Sequence, residues 1–550
     1  MAWEQSPAGV AAGAADSRAF LMKAARSVAE LQPKVNNVAD VMVFLEILGY
    51  TKQDALRNGF EDLMGLSREI YEFLDILEVG PENKAKSLDA YIKVPAITRR
   101  LAEGFALSFG WLGSLLLLFI AGVSLWLSLL LPLKITTVFL AGLFTGMFIT
   151  EGPLQSFNRL FSFYHDQGNL AEAKRVLKRT YLVVGGVVAV TVGGLYAVAS
   201  LTNFPIDLFE IAATSLVLVS LHRVIYAIIY ALRKIAHLLV SFTLAFSALL
   251  LVYFGMGDII PNAVDRYLYA LVAAVVILSS FALYDQFQVL RGKSFEMKGA
   301  IPHFFRRVTI NKSTIKSRFS VQFWETIPNY LFGTFFFALI FGDRILSWFF
   351  NPIKTANGVS LPFVFNSAYH SGADPALLII FPALIIQYAL MSSVFAQVTN
   401  VTLESTVLEA GRIKQFLVRR YWTVMAASLV SSTITAVALT FLAPVLLPAA
   451  SVTPTTLQIL HIASVANVLL VVFFANSLFM QFMNKMTGLA MIAMVGALVV
   501  LIGGALLAPT GFQNLELAYI AAAATVACVS TVYVLSNLGR AASIFFARYV

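Results

Sequence analysis

From residue 105 onward the chain is a succession of apolar stretches separated by short polar or basic segments. They lie at roughly 106–132, 135–153, 181–203, 206–232, 235–257, 266–289, 321–345, 375–397, 421–447, 455–481, 486–508 and 515–538. About 20 apolar helical residues cross the ~30 Å hydrocarbon layer of a bilayer. In that medium every backbone amide must be satisfied internally, which leaves helices or closed barrels. The pattern therefore predicts an all-α polytopic membrane protein with twelve transmembrane helices. Composition agrees: 59% of the 550 residues are hydrophobic and 13% are charged, against about 25% charged in soluble domains. A soluble enzyme, a disordered chain and a secreted disulfide scaffold are excluded as the whole molecule. Cys528 is the single cysteine, so neither an intrachain disulfide nor a cysteine metal cluster is available. It reads as a small core residue.

Residues 1–104 differ in character. They hold 15 acids and 12 bases, whereas residues 105–550 hold 27 bases and 15 acids. The pI near 9.4 thus belongs to the membrane part and predicts no nucleic-acid partner. The amino terminus lacks a basic segment followed by an apolar core, so no cleavable signal is expected. Asp16 or Ser17 is placed to cap a helix over about 18–32, which Pro33 ends. Asp40 opens a second helix through Leu48, stopped by Gly49, and Thr51 with Asp54 forms a capping pair. Over 60–78 the residues Phe60, Leu63, Leu66, Ile70, Phe73, Leu74 and Leu77 share one face. The reading is a cytosolic helical cap with a buried seam and a docking or regulatory role. It contains no histidine, no cysteine and no glycine-rich phosphate loop. Residues 85–103 are amphipathic, with Pro95 inside, and suit a helix lying along the membrane surface.

The even-numbered connections and the carboxyl tail share the side of the amino terminus. They carry 22 Lys/Arg, whereas the odd connections carry four: Lys134, Arg266, Arg344 and Lys354. Positive residues accumulate on the cytosolic side, which predicts a multi-pass protein of the cytoplasmic (inner) membrane with both termini in the cytosol. The basic connection 291–320 divides the spans six and six, giving a 1–104 cap, a 105–290 bundle, a 291–320 linker and a 321–550 bundle. A repeat supports that division. Lys174-x-x-Leu177-x-Arg179-x-Tyr181 before the third span matches Lys414-x-x-Leu417-x-Arg419-x-Tyr421 before the ninth. A weaker register aligns Lys234 with Lys485 and Glu210 with His461. Six spans is an even number, so the halves run in the same sense and are related by an axis along the membrane normal. Two such bundles, opening a shared cleft to either side in turn, are the physical expectation.

Charged residues inside spans are tolerated where they face a wet cleft rather than lipid. In the seventh span Glu325, Pro328, Asn329 and Gly333 share a helical face; Glu325 reads either as cleft-facing or as interfacial. The fourth span carries Glu210 near its outer end and His222–Arg223 at mid-depth. Arg223 calls for an acid, with Asp285 or Glu325 as partners, or for an anionic ligand group such as phosphate or uronate. His461 with Gln458, Gln387 and Asn476 are further buried polar candidates, His461 as a hydrogen-bonded structural residue or a proton relay. No pair has metal-ligand spacing, and no cofactor is expected. The connection from Glu151 through Asn158, Arg159 and His165-Asp166, interleaved with phenylalanines, reads as a cytosolic gate or an aromatic-anchored interfacial helix. Arg179 and Arg419 border the same side. Outside, 351–374 is rich in Pro, Gly, Asn and Ser and reads as irregular, with a flap over the outer mouth as one role.

Twelve spans in two same-sense halves, with a basic amphipathic stretch before the third and ninth, resemble the multidrug/oligosaccharidyl-lipid/polysaccharide (MOP) flippase superfamily. More narrowly, Gly152-Pro153-Leu154-Gln155 with Arg159, Asp343-Arg344-Ile345-Leu346-Ser347-Trp348-Phe349, and Ser371-x-x-Asp374-Pro375-Ala376 are similar to the PelG-like membrane transporters of Pel exopolysaccharide systems. The likeness covers about 105–540; the first 104 residues have no counterpart in it. It implies a transporter that moves a polysaccharide or lipid-linked glycan beside a cytosolic glycosyltransferase, which the cap would dock. Two alternatives stay open: an ion-coupled small-cation antiporter of the same fold, with Glu210, Asp285 or Glu325 carrying the ion, and a non-transporting scaffold for a glycosyltransferase. An integral-membrane enzyme is not expected, as no nucleotide motif, metal triad or paired acids are present.

Overall fold

In a computed structural model, residues 19–29, 38–76, 97–166, 169–291, 319–353, 355–356, 359–404, 410–446 and 453–539 are described. The chain divides into two compact units. One comprises Met1–Val94, Ser393–Arg420 and Ser536–Val550; the other comprises Pro95–Ser392 and Tyr421–Leu535.

In the first unit, α1 (19–29), α2 (Val38–Ile47), α3 (Lys52–Arg57) and α4 (Leu63–Ile76) close around Ala24, Ala25, Val28, Val41, Leu45, Leu66 and Ile70. The expected seam is therefore present. Thr51 and Asp54 form a reciprocal capping box at the start of α3: Thr51 N donates to Asp54 Oδ2 (2.9 Å) and Asp54 N donates to Thr51 Oγ1 (3.3 Å).

The second unit carries the membrane part. Among the described residues, twelve helices are long and apolar enough to cross a bilayer, as the apolar count predicts. The first bundle holds α5 (Ile97–Ala121), α6 (Leu133–Asp166), α7 (Leu170–Leu201), α8 (Ile206–Ala231), α9 (Ile235–Gly255) and α10 (Ala263–Leu290). The second holds α11 (Phe319–Phe349), an eighth span built from α12 (Ser367–Ala376) and α13 (Ile380–Glu404), α14 (Ala410–Leu446), α15 (Pro454–Phe482), an eleventh span of α16 (Met486–Leu498), a π-helical turn and α17 (Gly504–Leu507), and α18 (Leu515–Leu538).

Several boundaries move for identifiable reasons. The first span ends at Ala121 rather than 132. Gly122 takes φ +70°, and 122–132, although apolar, folds into a tight plug in which Ser124 N donates to Leu127 O (2.7 Å) and Tyr267 Oη caps Ser124 O (3.2 Å). An apolar run thus supplies a buried loop rather than more helix. At its other end α5 starts at Ile97, so residues 97–103 belong to a span and not to a surface-lying helix; 85–96 lie outside the described residues. The second span continues through Pro153 to Asp166, which places Glu151 in the middle of a helix and reduces the expected gate connection to 167–169. Arg344, counted above among loop residues, is inside α11 and fully buried. The outer segment begins with a short ribbon, β1 (Thr355–Ala356) against β2 (Val359–Ser360). It then turns inward, burying Leu361, Val364 and Phe365, and does not form an open flap. Most of the 291–320 linker lies outside the described residues.

The repeat is visible in the turns. Arg233 and Asn484 both take a left-handed conformation, φ 50° and 57°. Each is followed by a lysine amide that reaches back five residues, Lys234 N to Ile229 O (3.1 Å) and Lys485 N to Met480 O (2.8 Å). Small residues set the close crossings. A Cβ on Gly142 of α6 would lie 1.9 Å from Ala212 O on α8, and Ser215 Oγ donates to Phe139 O there (2.9 Å).

Two outcomes follow. Gly142→Ala costs about 1–3 kcal/mol by overpacking, whereas Gly185→Ala, which meets open space, is neutral or slightly stabilising; thermal unfolding in detergent reads both. In the cap, hydrogen bonds from Thr51 hold the Asp54 carboxyl below its ordinary value. Its stabilisation is complete above the usual carboxylate range and is lost as pH falls through that lowered value. Helicity of the full chain in detergent, compared between wild type and Asp54→Asn across acidic pH, should converge at the acid end.

Candidate functional site

Each bundle holds a cluster of charged groups inside the membrane part. In the first bundle, Arg223 of α8 reaches across to α6: Nη1 donates to Met147 O (2.7 Å) and Thr150 Oγ1 (2.9 Å), and Nη2 pairs with the Glu151 carboxylate. Glu151 Oε1 also accepts from Gln155 Nε2 (2.9 Å). An arginine at this depth requires an acid, and that acid is Glu151, not Asp285 or Glu325. The reason it escapes a linear reading is that 151 looks like the start of a loop until Pro153 is accommodated inside the helix. Nη1 and Nη2 of Arg223 thus both brace α8 against α6.

In the second bundle a larger cluster surrounds Arg344, whose guanidinium is fully buried. Nε donates to Asp374 Oδ1 (2.8 Å), Nη1 to Ile340 O (3.0 Å) and Asp343 Oδ2 (3.1 Å), and Nη2 to Ala373 O (2.7 Å). Tyr369 Oη donates to Asp343 Oδ2 (2.8 Å). His370 bonds Asp374 through Nδ1 (2.8 Å), and its Nε2 accepts from Trp348 Nε1 (2.8 Å), which fixes the proton on Nδ1 in the neutral ring. Glu516 of α18 is buried beside Asp343, Arg344, Tyr369 and Asp374, with neither oxygen hydrogen-bonded. Three carboxylates here face one guanidinium and one imidazole. Residues of this cluster fall within the motifs Asp343–Phe349 and Ser371–Ala376, yet as chemistry they are invisible in sequence, because Asp343-Arg344 and Asp374 sit where spans ordinarily end.

Between the two clusters lies a cavity of about 70 Å³. Met147, Trp111, Trp126 and Phe144 line it from the first bundle, and Phe341, His370 and Asp374 from the second. Trp111 stacks against Phe341 with centroids 6.4 Å apart. Beyond it the bundles touch through α6 and α11. A Cβ on Gly152 would lie 2.8 Å from Thr334 Oγ1, and one on Gly333 would lie 2.9 Å from Glu151 O. At the basic end, Arg179 donates to Gln322 Oε1 and Gln322 Nε2 donates to Tyr164 Oη (2.9 Å), tying α7 and α6 to α11. At the other end, Phe365 N donates to Thr137 Oγ1 (3.1 Å).

The remaining candidates scatter. Asp285 is buried against His237 Nδ1 (2.7 Å). His222 is buried beside Trp126 and Tyr226. Gln387 Nε2 donates to Val471 O (2.9 Å), and Asn329 is buried in α11. Glu210, Glu325 and His461 are exposed on their helices and join neither cluster. Asn158 is half-buried, whereas Arg159 and Arg419 are exposed. Of the gate residues, Arg179 bonds across to α11 of the other bundle. Tyr181 and Tyr421, the ends of the repeat, are equivalently used: Tyr181 Oη pairs with Gln286 (2.9 Å) and Tyr421 Oη with Asn476 (3.0 Å). Among the described residues, no group of three His, Cys, Asp or Glu is arranged for a metal.

No family model and no curated protein matches the chain. Solved structures do. An outward-facing multidrug resistance MATE family transporter of the MOP superfamily aligns over 83% of this chain and 99% of its own, with TM-score 0.55 and 14% identity. A MATE structure in the straight conformation gives the same values, and one in the bent conformation aligns over 81% and 95%, with TM-score 0.53 and 13% identity. The chain thus has the MATE fold.

Removing the cation from a buried network strands its acids. Arg344→Leu is expected to cost about 3–5 kcal/mol, whereas Glu210→Gln and Glu325→Gln stay within about 0.5 kcal/mol, read by unfolding in detergent.

Proposed function

We propose that the protein is a transporter of the cytoplasmic membrane that exports or flips a polysaccharide or lipid-linked glycan by alternating access of its two bundles. Both termini lie in the cytosol, and the amino-terminal unit docks a glycosyltransferase or other subunit. The observation that carries the transport reading is the cavity walled by both bundles, where Trp111, Trp126, Phe144 and Phe341 stand among leucines and Asp374 and His370 reach the wall. Indole and phenyl faces suit sugar rings, and a carboxylate with an imidazole suits hydroxyl groups. At about 70 Å³ the cavity holds a few waters and no sugar ring, so passage requires the bundles to part. The imbalance of Lys/Arg between the two sets of connections supports the orientation.

One observation favours a second reading, an antiporter of small organic cations. Asp374 reaches the cavity, held by Arg344 and His370, and the cluster behind it sets three carboxylates against one guanidinium and one imidazole. The surplus of carboxylates at Asp343, Asp374 and Glu516 supports coupling to a proton or sodium ion in that case.

A cross-link tests the moving seam. In a Cys528→Ala background, Gly152→Cys with Thr334→Cys places one Cβ about as far from the opposite side-chain atom as a disulfide requires. Oxidation is expected to stop transport and reduction to restore it, with cellular glycan export and uptake of a labelled organic cation into inverted vesicles assayed in parallel. Glycan export alone being blocked supports the first reading, and cation movement alone being blocked supports the second. Full transport by the cross-linked protein overturns alternating access.

A further inference from the structure

Arg100, in the first turn of α5, is only 3% exposed, and its Nε and Nη2 are buried without a hydrogen-bond partner. A desolvated guanidinium with idle donors is unfavourable by itself, so its retention asks for a group that the protein receives from outside. Its surroundings are cationic. Arg99, with its side chain 62% exposed, pairs with Glu103 (3.1 Å). Glu103 also accepts from Tyr388 Oη (3.4 Å) on α13, and Arg233 stands within electrostatic reach of Tyr388. Arg99 and Arg100 thus share one carboxylate, with Arg233 near the tyrosine bonded to it. The place matters as much as the charge. A Cβ on Gly104 would lie 3.0 Å from Ile385 O, so α5 of the first bundle touches α13 of the second here, at the basic end of the seam.

We infer that Arg100, assisted by Arg99 and Arg233, is an anion subsite that takes a phosphate group presented at the basic end of the α5–α13 seam. The planar fork of arginine matches two phosphate oxygens, and Nε with Nη2 is one of its two bidentate edges. This subsite stands apart from the aromatic cavity, whose charged groups are already paired, and it deepens the transport reading by assigning where an anionic headgroup is held as a ligand comes between the bundles. The phosphate has two sources: the diphosphate of a substrate, or the headgroup of an anionic phospholipid.

Binding is read without transport, so its failure leaves the transport reading standing. The full chain in phosphatidylcholine nanodiscs is melted with and without inorganic pyrophosphate, and again in nanodiscs containing phosphatidylglycerol. We expect one of these to raise the melting temperature of the wild type by a few degrees, less so at high salt. Pyrophosphate acting alone identifies a substrate phosphate, and phosphatidylglycerol acting alone identifies a lipid headgroup. Arg100→Met should abolish the rise while leaving the ligand-free melting temperature unchanged or higher, because an unpaired buried charge is removed. Should that variant fail to fold, Arg233→Gln, an exposed position, is expected to weaken the midpoint of the same titration about 3–10-fold. Stabilisation by neither probe, or an unaltered response in both variants, overturns the assignment.

Discussion

A charge taken into hydrocarbon must bring its counter-charge with it, and the Arg344 network is where this chain meets that demand most fully. One guanidinium spends its donors on two carboxylates and two backbone carbonyls, joining α11 to α12 at the point where the chain would otherwise loop out of the membrane. The eighth span consequently begins at Ser367, eight residues before the apolar run does, and Pro375 is carried inside it. The aromatic wall of the cavity depends on the same anchor, since His370 is held by Asp374 on one nitrogen and by Trp348 on the other.

The two bundles solve the same packing problem with different parts. Each pins its third helix by a tyrosine hydroxyl from the repeated basic motif. In one the amide partner is Gln286 of α10, which also donates to Ile225 O (2.9 Å). In the other it is Asn476 of α15, which donates onward to Ser530 and Thr531 of α18. The tie survives while its acceptor has changed helix.

Span number, pairing of halves and the seam of the cap follow from periodicity and basic loops, which act over short windows and leave a linear trace. The errors share one cause. Residues 122–132 are apolar because the plug they form is buried, and burial and membrane exposure call for the same side chains. Glu151 is polar because it meets Arg223, and Asp343, Arg344 and Asp374 because they meet each other; a pairing between distant positions such as 151 and 223 has no local signature. Glu325 and Glu210 looked equally informative in the chain, yet their exposure shows that depth in a span does not decide which way a side chain faces.

The buried ion pairs described above close within a bundle: Arg223 with Glu151 in the first, Arg344 with Asp343 and Asp374 in the second. What joins the bundles along α6 and α11 is glycine lying against side chain and carbonyl, together with Phe144 and Phe148 packed on Phe337, Phe341 and Trp348. Each half is therefore internally riveted, whereas their mutual adhesion is chiefly contact dispersion, which neither ionic strength nor pH weakens much. The fit of such faces is set by surface shape instead of by coupled charge.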